Sequence, residues 1–357
     1  MVSVSLRVTD AQVADRPSDS GSISKGNQAM RTVLWSLVVL ALLACVLPLA
    51  AESINPPTKP QTAPMTAQEK KNLDMVMTWW REVLYAGHLE LAPKYQAEHY
   101  IQHNPNADTG RDGFIAFFTK LGIKPIDPIP ATMPADRMPV VSGAKGDFVW
   151  LVFEHQDKDP RNPTSTYHYN SFDVLRVENG KVQEHWDSAQ KMTGTGTVKA
   201  GVSPKSPMQW NTGKLSKEEE KTQAMATEEL KDMLQYGHLE LADKTMDPGY
   251  IQHNPNVPQG RDGFKQFMSR VPGRTPRDIK TEWVNPPVLT LINGPYSFMM
   301  WDRTARDPDD PNREYKWNHF DLVRIENNLI KEHWDEARIN PPAENPARPV
   351  TPKNFPY

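Results

Sequence analysis

The sequence predicts an α+β fold, written twice. Two observations carry that prediction. The chain repeats itself at domain scale: Y-I-Q-H-N-P-N-A-D-T-G-R-D-G-F at 100–114 returns as Y-I-Q-H-N-P-N-V-P-Q-G-R-D-G-F at 250–264, and F-D-V-L-R-V-E-N-G-K-V-Q-E-H-W-D at 172–187 returns as F-D-L-V-R-I-E-N-N-L-I-K-E-H-W-D at 320–335. Within each copy, helical periodicity comes first and hairpin patterning after, which places helices on one face of an antiparallel sheet. At 357 residues the chain has room for two domains of ordinary size. The spacing of the copies is far too long for a stacked solenoid.

Each copy opens with a capping-box pattern, Thr66-x-x-Glu69 and Ser216-x-x-Glu219. Leu73, Met77, Trp80 and Leu84 follow at helical spacing; the second copy has a thinner stripe, Met225, Leu230, Met233 and Leu234. Gly87 and Gly237 stand where helix C-caps are expected, and a second short helix is expected from His88 and His238. Gly110 and Gly113 mark a turn. A third helix is then expected on Phe114, Phe117 and Phe118, or Phe264, Phe267 and Met268, with Asp112 or Asp262 in its first turn.

The strands come next. Phe148–Phe153 and Tyr296–Trp301 are apolar at nearly every position, the mark of a strand covered on both faces. Tyr167–Val177 and Tyr315–Ile325 alternate. Glu178-Asn179-Gly180 is a hairpin signal, which Asn328 preserves in the second copy because Asn tolerates positive φ. Val182–Asp187 and Ile330–Asp335 are the return strands.

The formal net charge of −3 comes with no basic face or tail, which argues against a nucleic-acid partner. The single cysteine, Cys45, excludes an intramolecular disulfide and a multi-thiolate metal site. Residues 1–29 read as a polar leader, with Met30 as an alternative start. Residues 30–51, whose apolar run spans 33–51, read as a signal peptide, or as a membrane anchor if uncleaved. Export to the periplasm or the extracellular space is the expectation, with membrane contact only through 33–51. Residues 52–65 read as a Pro-rich spacer, 66–190 as the first domain, 191–215 as a linker, 216–340 as the second domain and 341–357 as a Pro-rich tail.

The chemistry-bearing residues fall in the repeated blocks. Strand alternation puts His185 and Asp187 on one face and Glu184 and Trp186 on the other, with His333, Asp335, Glu332 and Trp334 repeating the arrangement. A carboxylate among aromatic walls is a candidate general acid or base. Tyr169, Trp186, Trp317 and Trp334 are candidate walls. His103 and Asn104, with His253 and Asn254, fall in a short segment read as irregular between two helices. His155 ends a strand, and Arg303 replaces it in the second copy. No H-E-x-x-H spacing points to a metal, and no G-x-S-x-G elbow, phosphate loop or dinucleotide fingerprint is present.

Y-I-Q-H-N-P-N, G-R-D-G-F and R-V-E-N-G-K-V-Q-E-H-W-D resemble the SnoaL-like polyketide-cyclase family of the nuclear-transport-factor-two-like superfamily, over roughly 67–190 and 217–340. The resemblance implies two tandem cone-shaped barrels, each with three helices packed on a curved antiparallel sheet and a pocket for a small ligand. It implies cofactor-free acid/base chemistry of the aldol, cyclase or isomerase type, with no metal. By motif, Asp187, Asp335, His103 and His253 match the catalytic positions. His185, His333, Asn104, Asn254, Tyr169, Trp317, Trp186, Trp334 and His155 would contact substrate. Domains of this kind commonly pair through their sheets, so the two copies are expected to form a pseudo-dimer within one chain. A non-catalytic ligand-binding or assembly module of the same fold is the alternative.

Overall fold

The computed structural model describes residues 53–339. The expected leader, signal or anchor segment and C-terminal tail lie outside the described residues. No helix among the described residues is long and apolar enough to cross a membrane.

In the first copy, strand β1 (Gln61–Thr62) precedes helix α1 (Ala67–Trp79), which runs into a π-helical turn, Trp80–Tyr85. The capping box forms as predicted, with Thr66 Oγ1 accepting from Glu69 N and the Glu69 carboxylate from Thr66 N. Gly87 follows the turn at φ +74°, a conformation that only a residue without Cβ adopts freely. A short 3₁₀ turn leads into α2 (Ala92–Tyr95), strand β2 (Gln96–Gln102) and helix α3 (Arg111–Lys120). Four strands make the rest of the sheet: β3 (Val141–Lys145), β4 (Phe148–Asp159), β5 (Asn162–Glu178) and β6 (Lys181–Asp187).

The second copy repeats this as α4 (Lys217–Thr227) with its π turn Glu228–Met233, α5 (Ala242–Thr245), β7 (Met246–Gln252), α6 (Gly260–Met268), β8 (Leu289–Asn293), β9 (Tyr296–Asp307), β10 (Asp310–Glu326) and β11 (Leu329–Asp335). The β5–β6 and β10–β11 hairpin turns use two residues at positive φ, Asn179-Gly180 and Asn327-Asn328, as the right-handed twist of the strands demands.

The sheets are mixed and open. Their orders are β1-β3-β4-β5-β6-β2 and β7-β11-β10-β9-β8, and the outermost strands do not pair with each other, so neither sheet closes into the expected barrel. Nor is either wholly antiparallel: β2 runs parallel to β6 and β7 parallel to β11. Strands β2 and β7 were not legible in the sequence, because Q-A-E-H-Y-I-Q and M-D-P-G-Y-I-Q carry few β-formers and bury only some of their positions.

The doubly apolar strands have partners on both faces. Val149, Leu151, Phe153, Leu175 and Val177 pack against Leu73, Val76, Trp79, Trp80 and Val83 of α1 and its π turn. Leu230, Met233, Met299, Trp301 and Val323 do the same in the second copy. The opposite faces meet each other: Phe148, Trp150, Val152, Phe172, Val174 and Trp186 form one core with Leu291, Phe298, Met300, Phe320, Leu322 and Trp334. Phe172 and Phe320 stack with centroids 5.6 Å apart and planes 1° from parallel. Trp150 lies over Gly143, where a Cβ would sit 2.3 Å from the indole. Its Nε1 donates to Asn293 Oδ1 at 2.9 Å across the copies, and Lys145 Nζ pairs with Glu219 at 2.6 Å.

The spacer and linker are integral parts of this packing. Gln61–Thr62 adds a parallel edge strand to β3, and Ala63 is buried in the shared core. Thr58 Oγ1 reaches His253 Nδ1 at 3.1 Å and accepts from Trp334 Nε1 at 3.1 Å. In the linker, Trp210 packs edge-on against Trp186 and Ser203 Oγ donates to Glu184 at 2.9 Å. The spacer thus binds the second copy, and the linker folds back on the sheet it has just left.

Candidate functional site

Each site is built where β2 or β7 ends beside the last strand of its sheet. His103 N donates to His185 O and His253 N to His333 O, so the Q-H-N-P segment continues the strand instead of forming an isolated loop. Alternation then sorts its side chains. Gln102 and Asn104 turn to the helix-covered face, and His103 turns to the face between the sheets. Gln252, Asn254 and His253 follow suit.

In the first copy, Asp173 Oδ1 lies 2.8 Å from His185 Nε2, and His185 Nδ1 lies 3.2 Å from Gln102 Oε1. The Gln102 amide is oriented by the backbone, since its Oε1 accepts from Asn104 N at 3.0 Å. His185 Nδ1 therefore carries the hydrogen in that contact. Gln102 Nε2 donates to Tyr100 OH at 3.0 Å. Asp187 is held by Asn104 Nδ2 at 2.7 Å and by Ala189 N at 3.0 Å. Asp173, His185 and Asp187 are all buried. Burial, with Asp187 and Asp173 nearby, lifts the Tyr100 hydroxyl well above the usual phenol range.

The second copy keeps this frame: Asn254 Nδ2 holds Asp335 at 2.8 Å, Ala337 N caps its other oxygen at 2.9 Å, and His333 Nε2 meets Asp321 Oδ1 at 2.9 Å. It adds three residues. Glu229, from the π turn, takes His333 Nδ1 at 2.9 Å and the Tyr250 hydroxyl at 3.1 Å. His319 Nε2 meets Asp321 Oδ2 at 3.0 Å, and His319 Nδ1 meets Glu336 at 2.6 Å. The first copy has Trp79, Ser171 and Ser188 at the matching places.

Electrostatics follow from these contacts. Burial works against charge on His319, but Glu336 and Asp321 outweigh it and push the imidazole up to about 10. His333 is likewise raised well above the histidine range, burial being outweighed by Glu229 and Asp321. Asp321, between two imidazoles, is held far below the carboxylate range despite its burial. Asp335 moves the other way. Burial raises it to about 6, against the pull of His333 4.0 Å away.

The donor atoms of Asp173, His185 and Asp187 lie within 4.8 Å of one another, as do those of Asp321, His333 and Asp335. In the second set both nitrogens of His333 face carboxylates, so a metal there would have to displace a proton held between His333 and one of them.

The predicted residues thus divide between two faces. Asp187, His185 and Asn104 come together, as do Asp335, His333 and Asn254. His103 stacks on Trp186 with centroids 4.5 Å apart, lies 3.4 Å from Glu184, and faces away from Asp187. His253 stacks on Trp334 at 4.8 Å and bonds Glu332 at 2.9 Å beneath Thr58. Burial would raise Glu332, but His253 and Arg324 hold it below its ordinary value. Trp186 and Trp334 belong to the core between the sheets, not to the Asp–His clusters.

Tyr169 lies further along β5, under Arg338 at 4.3 Å and beside His155 at 5.0 Å. Burial lowers His155 to about 4. Trp317 is half-buried at the matching point of β10, paired in register with Arg303.

Sequence reasoning passed over Asp173, Asp321, Gln102, Gln252, Glu229 and His319. The signal for the two aspartates was present: each is a charge inside an apolar strand, on the parity of its neighbour Leu175 or Val323.

No family model matches the chain, and no curated protein does. Among solved structures, TsrD from Streptomyces laurentii is similar at 20% identity over 34% of this chain and 90% of its own, with a TM-score of 0.25. A protein of Acidithiobacillus ferrooxidans assigned provisionally as a polyketide cyclase is similar at 18% identity over 34% of this chain and 89% of its own, with a TM-score of 0.24. An NTF2-like protein of unknown function from Mesorhizobium loti is similar at 11% identity over 37% of this chain and 99% of its own, with a TM-score of 0.25. Each of these matches spans about one domain's length of this chain.

Proposed function

We propose that this is an exported protein with two interior sites, each for a small apolar or aromatic carbonyl compound, at which Asp187 and Asp335 move a proton next to the carbonyl. One observation carries the reading. In both copies a second buried carboxylate stands beside an Asp–His pair and takes its side-chain hydrogen bond from an amide, Asn104 or Asn254. Burial raises Asp335 to about 6, so it can give or take a proton near neutrality, and Asp187 is its counterpart in the first copy. The Asp–His pair beside it sets the local field in which that carboxyl exchanges its proton. Asp173 and Asp321 orient those imidazoles and do not themselves touch substrate.

A non-catalytic ligand-binding role is the second reading, favoured by the depth of the clusters, since Asp187 is 4% and Asp335 8% exposed. The test is the D187N/D335N double variant. Mass spectrometry of small molecules that co-purify with the intact protein supplies the compound to assay. Turnover of that compound by the wild type and its loss in a folded double variant is the expected result. Undiminished turnover in the double variant would refute the acid/base role, and a retained compound that the wild type never converts would leave binding alone.

A further inference from the structure

Where the first helix of each copy passes into its π-helical turn, one matching position carries opposite chemistry. In the first copy it is Trp79, 1% exposed, whose indole Nε1 has no hydrogen-bond partner. In the second it is Glu229, 0% exposed. Its Oε1 takes Tyr250 and His333, while its Oε2 has no hydrogen-bond partner. The carboxyl touches the Asp–His–Asp cluster directly through His333. Tyr100 and Tyr250 hold the same place in the two copies, each bonded to the Gln that ends its strand. Trp79 and Tyr100 both pack on Phe114, so the two turn residues look into corresponding interiors.

Buried polar atoms are almost always satisfied, and a native exception asks for the group that completes it. A donor is left over in one copy and an acceptor in the other, at one position of one repeated frame. Resting on the small-molecule reading above, we propose that these two atoms set the polarity of the ligands. The second interior takes a ligand that presents a hydrogen-bond donor, an ammonium or hydroxyl, to Glu229 Oε2. The first takes a ligand that presents an acceptor, a carbonyl or ether oxygen, to Trp79 Nε1. The duplication thereby yields two sites with one frame and different specificities. The remaining replacements agree, since the second copy adds ionic groups (His319, Glu336) where the first has hydroxyls (Ser171, Ser188).

The test uses the intact protein and two pairs of probes. Methylamine and benzylamine are cations near neutral pH and offer only donors. Acetone and acetophenone offer only acceptors. Each is titrated in by ¹H–¹⁵N NMR, with the indole N–H signals as reporters. Glu229→Gln keeps an oxygen for Tyr250 and His333 but places an amide N–H where Oε2 stood. Trp79→Phe removes the indole N–H together with part of the ring packed on Trp80 and Phe114, so denaturant unfolding of the variant is measured alongside.

An amine is expected to bind saturably and to lose about tenfold or more in affinity in E229Q, but not in W79F, as loss of a charge-assisted bond requires. A ketone is expected to shift the Trp79 indole signal and to weaken in W79F, but not in E229Q. Amine binding indifferent to E229Q, ketone binding indifferent to W79F, or no saturable binding of either class overturns the proposal. The two readings fail separately. Loss of turnover in D187N/D335N with affinities untouched by E229Q removes only the polarity assignment. Full turnover in that double variant with an E229Q-sensitive amine site removes only the acid/base role.

Discussion

Asp335 makes stability depend on pH in a way that can be isolated. An ordinary aspartate titrates near 3.8, and burial lifts this one to about 6. The folded state therefore holds the proton more tightly than the unfolded chain does. The contribution to stability is fully present below the unfolded value and is lost as pH rises through the folded one. The gap corresponds to about 3 kcal/mol, at roughly 1.4 kcal/mol per pH unit.

The amide side chain introduced by D335N cannot ionise, so that variant has no such dependence. It carries a pH-independent offset instead, because an amide cannot accept from Asn254 Nδ2 and Ala337 N in the same way as the carboxyl does. The informative quantity is the difference in unfolding free energy between wild type and D335N, followed by urea titration from about pH 4 to about pH 8. His319 and His333 contribute stability that is present below the ordinary histidine value and lost only as pH rises through their elevated folded values. Both proteins carry the His319 contribution, so the subtraction removes it, and the coupling between His333 and Asp335 stays within the difference. The wild type should lose most of about 3 kcal/mol relative to D335N across the interval. A carbon-13 titration of the Asp335 carboxyl should have its midpoint near 6. Parallel profiles for the two proteins would refute the argument that burial outweighs the pull of His333 on this amide-held carboxyl.

Two other perturbations test the frame around the sites. His319→Gln removes a buried cation from between Asp321 and Glu336 and should cost roughly 3–5 kcal/mol in denaturant unfolding, since it strands buried carboxylates; a change below about 1 kcal/mol would mean the relay is not ionic. Phe172→Ala empties part of the core between the sheets and breaks the stack with Phe320, so it should cost about 3–5 kcal/mol. If the copies unfold as one unit, the variant will show one transition by both tryptophan fluorescence and circular dichroism. Two separated transitions would show the copies to be independent.

Much of the fold was legible because it depends on local patterns. The capping boxes at Thr66 and Ser216, the glycine caps at 87 and 237 and the hairpin at Asn179-Gly180 are each specified within a few residues. The apolar runs 148–153 and 296–301 announced burial on two faces, and the structure supplies helices on one side and the other sheet on the second. What failed was of another kind. Q-A-E-H-Y-I-Q lacks the composition of a strand and becomes one only because β6 lies beside it. Residues 52–65 read as a Pro-rich spacer, yet Thr58 bonds His253 and Trp334 far along the chain. The site was half legible: alternation paired His185 with Asp187, but it could not show that Asp173 joins them from the neighbouring strand, or that His103 leaves by the other face.

The sequence by itself determined the duplication, the order of helices and hairpins, and which residues of each return strand share a face, because periodicity and turn chemistry are properties of neighbouring residues. The tertiary structure alone decided that the sheets stay open and pack on each other, that Asp173, His185, Asp187 and Asn104 converge, and that Glu229 and His319 join the second cluster where the first has Trp79 and Ser171. Those outcomes depend on contacts between positions tens to hundreds of residues apart. Burial and the charge of the nearest neighbours set the behaviour of an ionisable side chain, and neither is a local quantity.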